Sequence, residues 1–413
     1  MTDRDILREL GAQIAERAAL PRNADTVALW KKLNGLRPER PMVMLDQLPW
    51  NELNNEGELD CHCTDEYLRG IEHDLRQRLY RYNHFTADMV MHAEVYVHKT
   101  VHLQTGLRVD EITLATDPDN AVRAHAYHDQ IPDDEALGTI PEPVVSVDED
   151  LDHAHLEQVQ EIFDGLLPVR LVGPMWQMGM YAGMWDMITQ LRGVERVLYD
   201  MADRPDFTRR MIAKFAHNFG CLIDQYEAFG LFDADAPLVH CTGAYTDELP
   251  SPGFDGAHVK ARDVWAFGLA QVFSTVSPQM HLEYEIEPMK PYLERFGLVY
   301  YGCCDPLDRK VDIVRRIGNV RKISMSPWAD AERGAEAIGH DFVFSAKPNP
   351  SHVAMDRFDE ELIRAELRHI VSTCARYGTP CELILKDIST VRYEPWRLTE
   401  WERIAMEEVT RNL

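Results

Sequence analysis

No apolar run in this sequence approaches the roughly 20 residues a membrane-spanning helix needs, so no helical span and no membrane partner are expected. The N-terminus, Met-Thr-Asp-Arg-Asp-Ile-Leu-Arg-Glu, is charged and amphipathic and holds no apolar signal core. Cysteine is sparse: eight residues (61, 63, 221, 241, 303, 304, 374 and 381) are scattered over 413 positions. That spread does not read as a disulfide framework and points to a reducing cytoplasm. No Gly-X-Gly-X-X-Gly follows a strand pattern, which disfavours a dinucleotide-binding fold. Basic residues are few, 43 Lys and Arg against 69 acids, and the net charge is -26. A field of that sign repels nucleic acid and anionic membranes and favours solubility. From Ala124 to Val169 there is no Lys or Arg, against twelve acids, and Pro132, Pro141 and Pro143 fall inside. The stretch reads as an acidic surface insertion over about 124–168, a solvated face with one short helix around Asp152 to Phe163.

What is present is ample for a packed core: 45% of the residues are hydrophobic. The length allows one large or two modest domains. Residues 3–35 read as two helical segments, with Ile6, Leu7, Leu10 and Ile14 at helical spacing. Residues 1–40 are therefore expected to form a helical extension and 41–413 a single domain. Pro41 to Leu48 is the first strand candidate, and a helix spans Glu66 to Tyr82. Met89 to Leu103 is strand-like. There His92, Glu94, Tyr96 and His98 alternate with apolar residues, so four polar groups share one face. A solvated edge and a pocket lining weigh equally for that face.

From residue 169 the pattern becomes regular. Strands are expected at Val169–Gly173, Pro237–Thr242, Gln271–Ser277, Leu298–Cys304, Val320–Trp328, Phe342–Pro350 and Cys381–Ile388. Helices fall between them, including one from Arg262 to Leu269 and one from Pro278 to Phe296. About eight strand–helix units favour a closed (β/α)8 TIM barrel over an open doubly wound sheet.

In such a barrel the carboxyl ends of the strands share one mouth. The central stretch is Leu298 to Asp308, an apolar strand that ends in Gly-Cys-Cys-Asp-Pro. It delivers polarisable sulfur and a carboxylate to a turn. Neighbours in a strand point to opposite sides, so one of Cys303 and Cys304 packs unless the turn twists them. The other strand ends bring His240 and Cys241, Ser326 and Trp328, Lys347 and Asn349, and Lys386 and Asp387. Thiols, an imidazole and carboxylates at one mouth form a metal set suited to zinc. Lys347 and Lys386 could hold a substrate carboxylate or pair with an acid such as Asp387. Cys61-His62-Cys63 is too closely spaced for a common zinc site and reads as structural. Ser277 caps the helix that follows it, with Pro278 in its first turn. On that helix His281 and Glu285 read as an i,i+4 surface pair, while Glu283 could point to the mouth.

Several motifs resemble the uroporphyrinogen decarboxylase superfamily. Asn34-Gly-Leu-Arg-Pro-Glu-Arg-Pro-Met-Val resembles that family's entry into its first strand. Val172-Gly-Pro-Met-Trp-Gln-Met-Gly resembles its Gly-Pro-Phe turn, and Met201-Ala-Asp-Arg-Pro-Asp-Phe its Asp-Asp-Pro-Glu helix entry. Ser277-Pro-Gln-Met resembles its Ser-Pro-Glu helix. Gly297-Leu-Val-Tyr-Tyr-Gly-Cys-Cys falls where members carry His-X-Cys-Gly. The family's Arg-Gln-Ala-Gly-Arg segment is missing. Tyr301 stands at the likely His position, and Phe344-Ser-Ala-Lys-Pro-Asn-Pro lacks the second Cys.

The resemblance implies a barrel enzyme close to the zinc- and corrinoid-dependent methyltransferases. It implies Zn2+ held by a set drawn from Cys303, Cys304, Cys241, His240 and Glu283. Asp305, Lys347, Lys386 and Asp387 would act in catalysis, and Trp176, Tyr301, Ser326, Trp328 and Asn349 would line the substrate. The implied partners are a small-molecule substrate and a corrinoid protein, with a homodimer left open. The alternatives are a cofactor-free decarboxylase and a binding protein that keeps the barrel without the chemistry.

Overall fold

The computed structural model describes residues 1–85, 87–114, 123–174 and 183–411. Its strands, in chain order, are β1 (Met42–Leu45), β2 (Val95–His98), β3 (Val101–Gln104), β4 (Glu111–Leu114), β5 (Ala124–Tyr127), β6 (Val144–Val147) and β7 (Val169–Val172). They continue with β8 (Leu238–Val239), β9 (Thr242–Gly243), β10 (Trp265–Gly268), β11 (Leu298–Tyr301), β12 (Val320–Met325), β13 (Val343–Ala346) and β14 (Cys381–Leu385). Six of them form one parallel sheet in the order β1-β14-β13-β12-β11-β10. β2 and β7 form a separate parallel pair. The fold is mixed α/β, with helices between the strands of the large sheet. Among the described residues no strand pairing closes that sheet into a ring.

Period-2 alternation sorts the side chains of the sheet onto two faces. Val43, Leu45, Ala266, Val299, Tyr301, Ile323, Phe344, Leu383 and Leu385 belong to the large core shared with the covering helices. The opposite face is mixed: Met42, Met44, Val343 and Ile384 stand on it beside a set of polar side chains. Register places Phe267 beside Tyr300 and Tyr300 beside Lys322. It also places Ser324 beside Ser345, and Ser345 beside Glu382. All six are buried. Buried polar groups persist only when they are hydrogen-bonded, and this face meets the demand internally. Glu382 accepts from Lys322, Thr242 and Ser345 (2.8, 2.8 and 2.5 Å), and Lys347 donates to Ser345 Oγ at 2.6 Å.

The helical extension appears as helices Asp3–Ala18 and Arg22–Asn34, and Ser277 caps its helix through Met280 N. Three sequence expectations are corrected. Residues 262–269 hold β10, not a helix, and Gln271–Thr275 is a 3-10 turn, not a strand. Trp265 to Gly268 is buried at every position. A continuously apolar run of that length carries no periodicity to separate strand from helix. Residues 237–242 contribute only the two-residue antiparallel pair of β8 and β9. In the acidic stretch, β5, β6 and the short helix Asp134–Thr139 precede helix Glu149–Phe163.

Candidate functional site

The turn after β11 is built on Gly302. Its φ of +92° lies in the left-handed region, and a Cβ there would stand 2.4 Å from Leu307 Cδ1. Gly302 N donates to Gly268 O at 2.7 Å. Next, Cys303 N donates to Asp305 Oδ1 at 3.1 Å, and Ser324 Oγ donates to Cys303 O at 2.7 Å. This bracing undoes the strand alternation. Both thiols face one place, 3.5 Å apart, with Cys303 buried and Cys304 half-buried.

Around them stand the ends of other segments. Lys386 Nζ is 3.0 Å from Cys303 Sγ and 3.8 Å from Cys304 Sγ. His240 Nε2 is 3.5 Å from Cys303 Sγ, and its ring stacks on Phe267 at 4.1 Å and 9°. Asp387 accepts from Cys304 Sγ at 3.2 Å and pairs with Lys386 at 2.8 Å. His240 and Asp387 both have positive φ, 52° and 56°. Non-glycine residues in that region cost about 1–2 kcal/mol each, and such strain gathers where side-chain placement matters.

The charges follow from the contacts. The hydrogen bond from Cys304 holds the Cys303 thiol well below its ordinary range against the pull of burial, helped by His240 and Lys386. Cys304 is pushed up by that same bond and by burial. Burial would lower His240, but Cys241 and Cys303 outweigh it and raise the imidazole to about 9. Burial likewise opposes Lys386, and Cys303 and Cys241 raise it above the usual lysine range. Burial would raise Asp387, while Lys386 draws it down. The result is a Cys303 thiolate held between an ammonium and an imidazolium.

Two acids stand behind the turn. Asp305 is fully buried, its carboxyl raised by burial, and its Oδ2 has no hydrogen-bond partner among the described residues. Asp186 donates nothing to any sequence motif, yet burial raises it to about 6, with Cys303 and Asp305 adding to the push and Gln271 (3.1 Å) opposing it. Asp186 sits within helix Met184–Arg192, where no turn or strand end marked it.

The structure thus brings Cys303, Cys304, His240, Lys386 and Asp387 together, with Asp305 adjoining. Cys241 is buried behind them, its sulfur 4.0 Å from Tyr300 OH. Lys347 lies in the polar network with Ser345, not against Asp387. Ser326 is buried, and its Oγ has no partner among the described residues. Asn349 is half-buried and accepts from Ser351 N. Trp328 is 74% exposed. Trp176 lies outside the described residues.

Two placements correct the sequence reading. Glu283, within the π-helical turn Leu282–Ile286, binds Arg209 of helix Pro205–Ala228 at 2.7 Å. Tyr301 points to the helix side, where its OH joins His281 Nε2 (2.8 Å) and donates to Glu285 (2.6 Å). His281 and Glu285 are therefore buried and bridged, not a surface pair.

The donor types at the turn suit zinc. Their arrangement does not fit a tetrahedral ion: the contacts run in a chain from His240 through Cys303 and Cys304 to Asp387, and the Lys386 ammonium takes the cation's place against both sulfurs.

The polar face of β2 lines a different space, a cleft of about 810 Å³ that includes His92, Glu94, Tyr96, Arg170, Tyr245 and Trp265. His92 Nε2 meets Tyr245 OH at 2.6 Å. None of Cys303, Cys304, His240, Lys386 and Asp387 lines this cleft among the described residues.

No protein-family profile matches the chain, and no curated relative matches it. Among solved structures, a methyltransferase from Methanosarcina mazei is similar in fold, with a TM-score of 0.50 at 11% identity over 93% of this chain and 97% of that one.

Proposed function

We propose that this chain is a methyltransferase-like enzyme on a (β/α)8-type scaffold, with Cys303 as its anionic sulfur nucleophile. The observation that carries the reading is the Cys303 sulfur fixed 3.0 Å from Lys386 Nζ and 3.5 Å from His240 Nε2. The similarity in fold to a methyltransferase and the motif resemblance to the uroporphyrinogen decarboxylase superfamily support it. In the transfer, a sulfur lone pair forms the S–CH3 bond while the methyl carbon's bond to its leaving group breaks with its electron pair. Burial raises the carboxyls of Asp186 and Asp305 beside this thiol. A donor of the class the resemblance implies is a methylated corrinoid on a partner protein.

Zinc held by Cys303, Cys304 and His240 is the competing reading, and the placement of Lys386 against both sulfurs speaks against it. A decarboxylase reading rests on Lys386 as carboxylate anchor beside Asp186 and Asp305, whose carboxyls burial raises. Peptide mass spectrometry after incubation with a methyl donor separates the three. A methyl group on Cys303, absent in Lys386→Met, supports the thiolate reading. Zinc in stoichiometric amount, lost in Cys303→Ser/Cys304→Ser, moves the assignment to the metal form. An unmodified Cys303 and a metal-free chain would sink both.

A further inference from the structure

A second set of metal-ligating side chains lies on the surface. Helix Pro205–Ala228 carries His217 and Cys221 at i and i+4, so both leave one face. Glu142, from the acidic stretch, stands over them. Its Oε1 is 2.7 Å from His217 Nε2, which is 3.5 Å from Cys221 Sγ. One donor atom from each residue lies within 4.8 Å of the other two. Ligands of a tetrahedral ion with bonds of about 2.0–2.3 Å stand roughly 3.3–3.8 Å apart, within reach of small rotations here.

An exposed trio of this kind is ordinarily an ion pair beside a thiol. What distinguishes it is how Glu142 is held. Asn218 Nδ2 donates to Pro141 O at 2.9 Å, and Gln225 Nε2 donates to Pro143 O at 2.8 Å. Val145 N donates to Gln225 Oε1 at 2.8 Å. The helix that carries His217 and Cys221 therefore also grips the backbone on both sides of Glu142. Pro141 and Pro143 narrow the backbone further by fixing φ. The backbone that carries Glu142 is thus anchored to the helix without relying on the Glu142–His217 contact. A backbone already held in place reduces the freedom lost on binding. The chain's net charge of -26 raises the local concentration of cations.

We infer that Glu142, His217 and Cys221 form a binding site for a borderline divalent cation, zinc first among them, that clips the acidic stretch to helix Pro205–Ala228. Thiolate, imidazole and carboxylate are the zinc donor types, and three protein ligands leave one position to water. The site is separate from the cysteine turn and stands whether or not the methyl-transfer reading holds.

The test uses the full-length chain, stripped with chelator and titrated with Co2+, whose bond to a thiolate absorbs in the near ultraviolet. The expected result is an absorption that saturates at a single equivalent and is displaced by Zn2+. It is retained in Cys303→Ser/Cys304→Ser and lost in Cys221→Ser. Glu142→Gln and His217→Ala, checked for fold by circular dichroism, weaken Co2+ binding by about tenfold or more, the scale at which metal-site partners act. Absorption that survives Cys221→Ser, that disappears with the Cys303/Cys304 pair, or that never develops overturns the inference.

Discussion

Lys386 Nζ lies 3.0 Å from Cys303 Sγ, nearer than His240 Nε2 or Cys304 Sγ, each at 3.5 Å. Both partners are buried, so their attraction is weakly screened. Neither has its ordinary proton affinity: the thiol is lowered and the ammonium raised.

Lys386→Met is therefore expected to move the pH midpoint of Cys303 alkylation by iodoacetamide upward by about one unit or more, since an opposite charge at this range shifts a partner by about 1–3 units. His240→Gln moves it in the same direction, since both its hydrogen bond and its charge lower the thiol. An unchanged midpoint in Lys386→Met would show that the ammonium does not hold the thiolate.

The same charges set how stability depends on pH. Cys303 is an acid with a depressed folded pKa, so its contribution is complete above the unfolded thiol's range near 8.5 and is lost as pH falls toward the folded value. His240 runs the other way. Its folded pKa of about 9 exceeds the ordinary value, so its contribution is complete below about 6.5 and fades as pH rises through 9. Urea unfolding of His240→Gln against the parent is expected to show its largest loss below pH 6.5 and a shrinking loss by pH 9 to 10, on the order of the unfolded and folded values. A loss independent of pH would mean that His240 acts by packing on Phe267 alone.

Much of this site was legible in the sequence, because strand ends gather at one end of a parallel sheet. Cys303, Cys304, His240, Lys386 and Asp387 each end or follow a strand-like run, and they meet. Two things were hidden for physical reasons. The facing of both thiols depends on the left-handed turn at Gly302, which strand alternation does not foresee. Asp186 depends on which helix packs behind that turn, a tertiary relation without a local signature. The misplacement of β10 has a third cause: a short run buried on all sides is apolar throughout, whether strand or helix.

Asp186 makes a prediction of the opposite sign to Cys303. A carboxyl raised to about 6 opposes folding once it ionises, so the folded state loses stability between about pH 4 and pH 6 and then holds level. Asp186→Asn is expected to stabilise the protein at pH 8 by about 1–2 kcal/mol, discounted for its partial exposure, and to be neutral near pH 4. Denaturant midpoints at the two pH values check it. Destabilisation at both would show that the carboxylate itself, through Gln271, holds the turn.

Tyr301 tests which face of β11 does the chemistry. Its hydroxyl bridges His281 and Glu285 on the helix-covered side, away from Cys303. Tyr301→Phe leaves both buried groups short of a partner, at a cost of about 1–3 kcal/mol. It is expected to leave the Cys303 alkylation rate and its pH midpoint unchanged. A shifted midpoint in a folded variant would return Tyr301 to the site.

The Lys322–Glu382 pair is fully buried, at 2.8 Å, and it underlies the same face. Removing one partner of a buried pair strands the other charge, so Lys322→Met is expected to cost about 3–5 kcal/mol. Thr242 and Ser345, which also donate to Glu382, are too weakly polar to replace the ammonium. Lys322→Met/Glu382→Leu removes both charges and is expected to recover most of that loss, since apolar replacements of buried pairs are often neutral or better. The recovery separates a structural pair from a functional one. If the double variant regains stability and keeps the low alkylation midpoint of Cys303, the network serves the sheet. If the midpoint rises while stability returns, the buried charges reach the thiolate through Ser345 and Lys347, and that face of the sheet is part of the site.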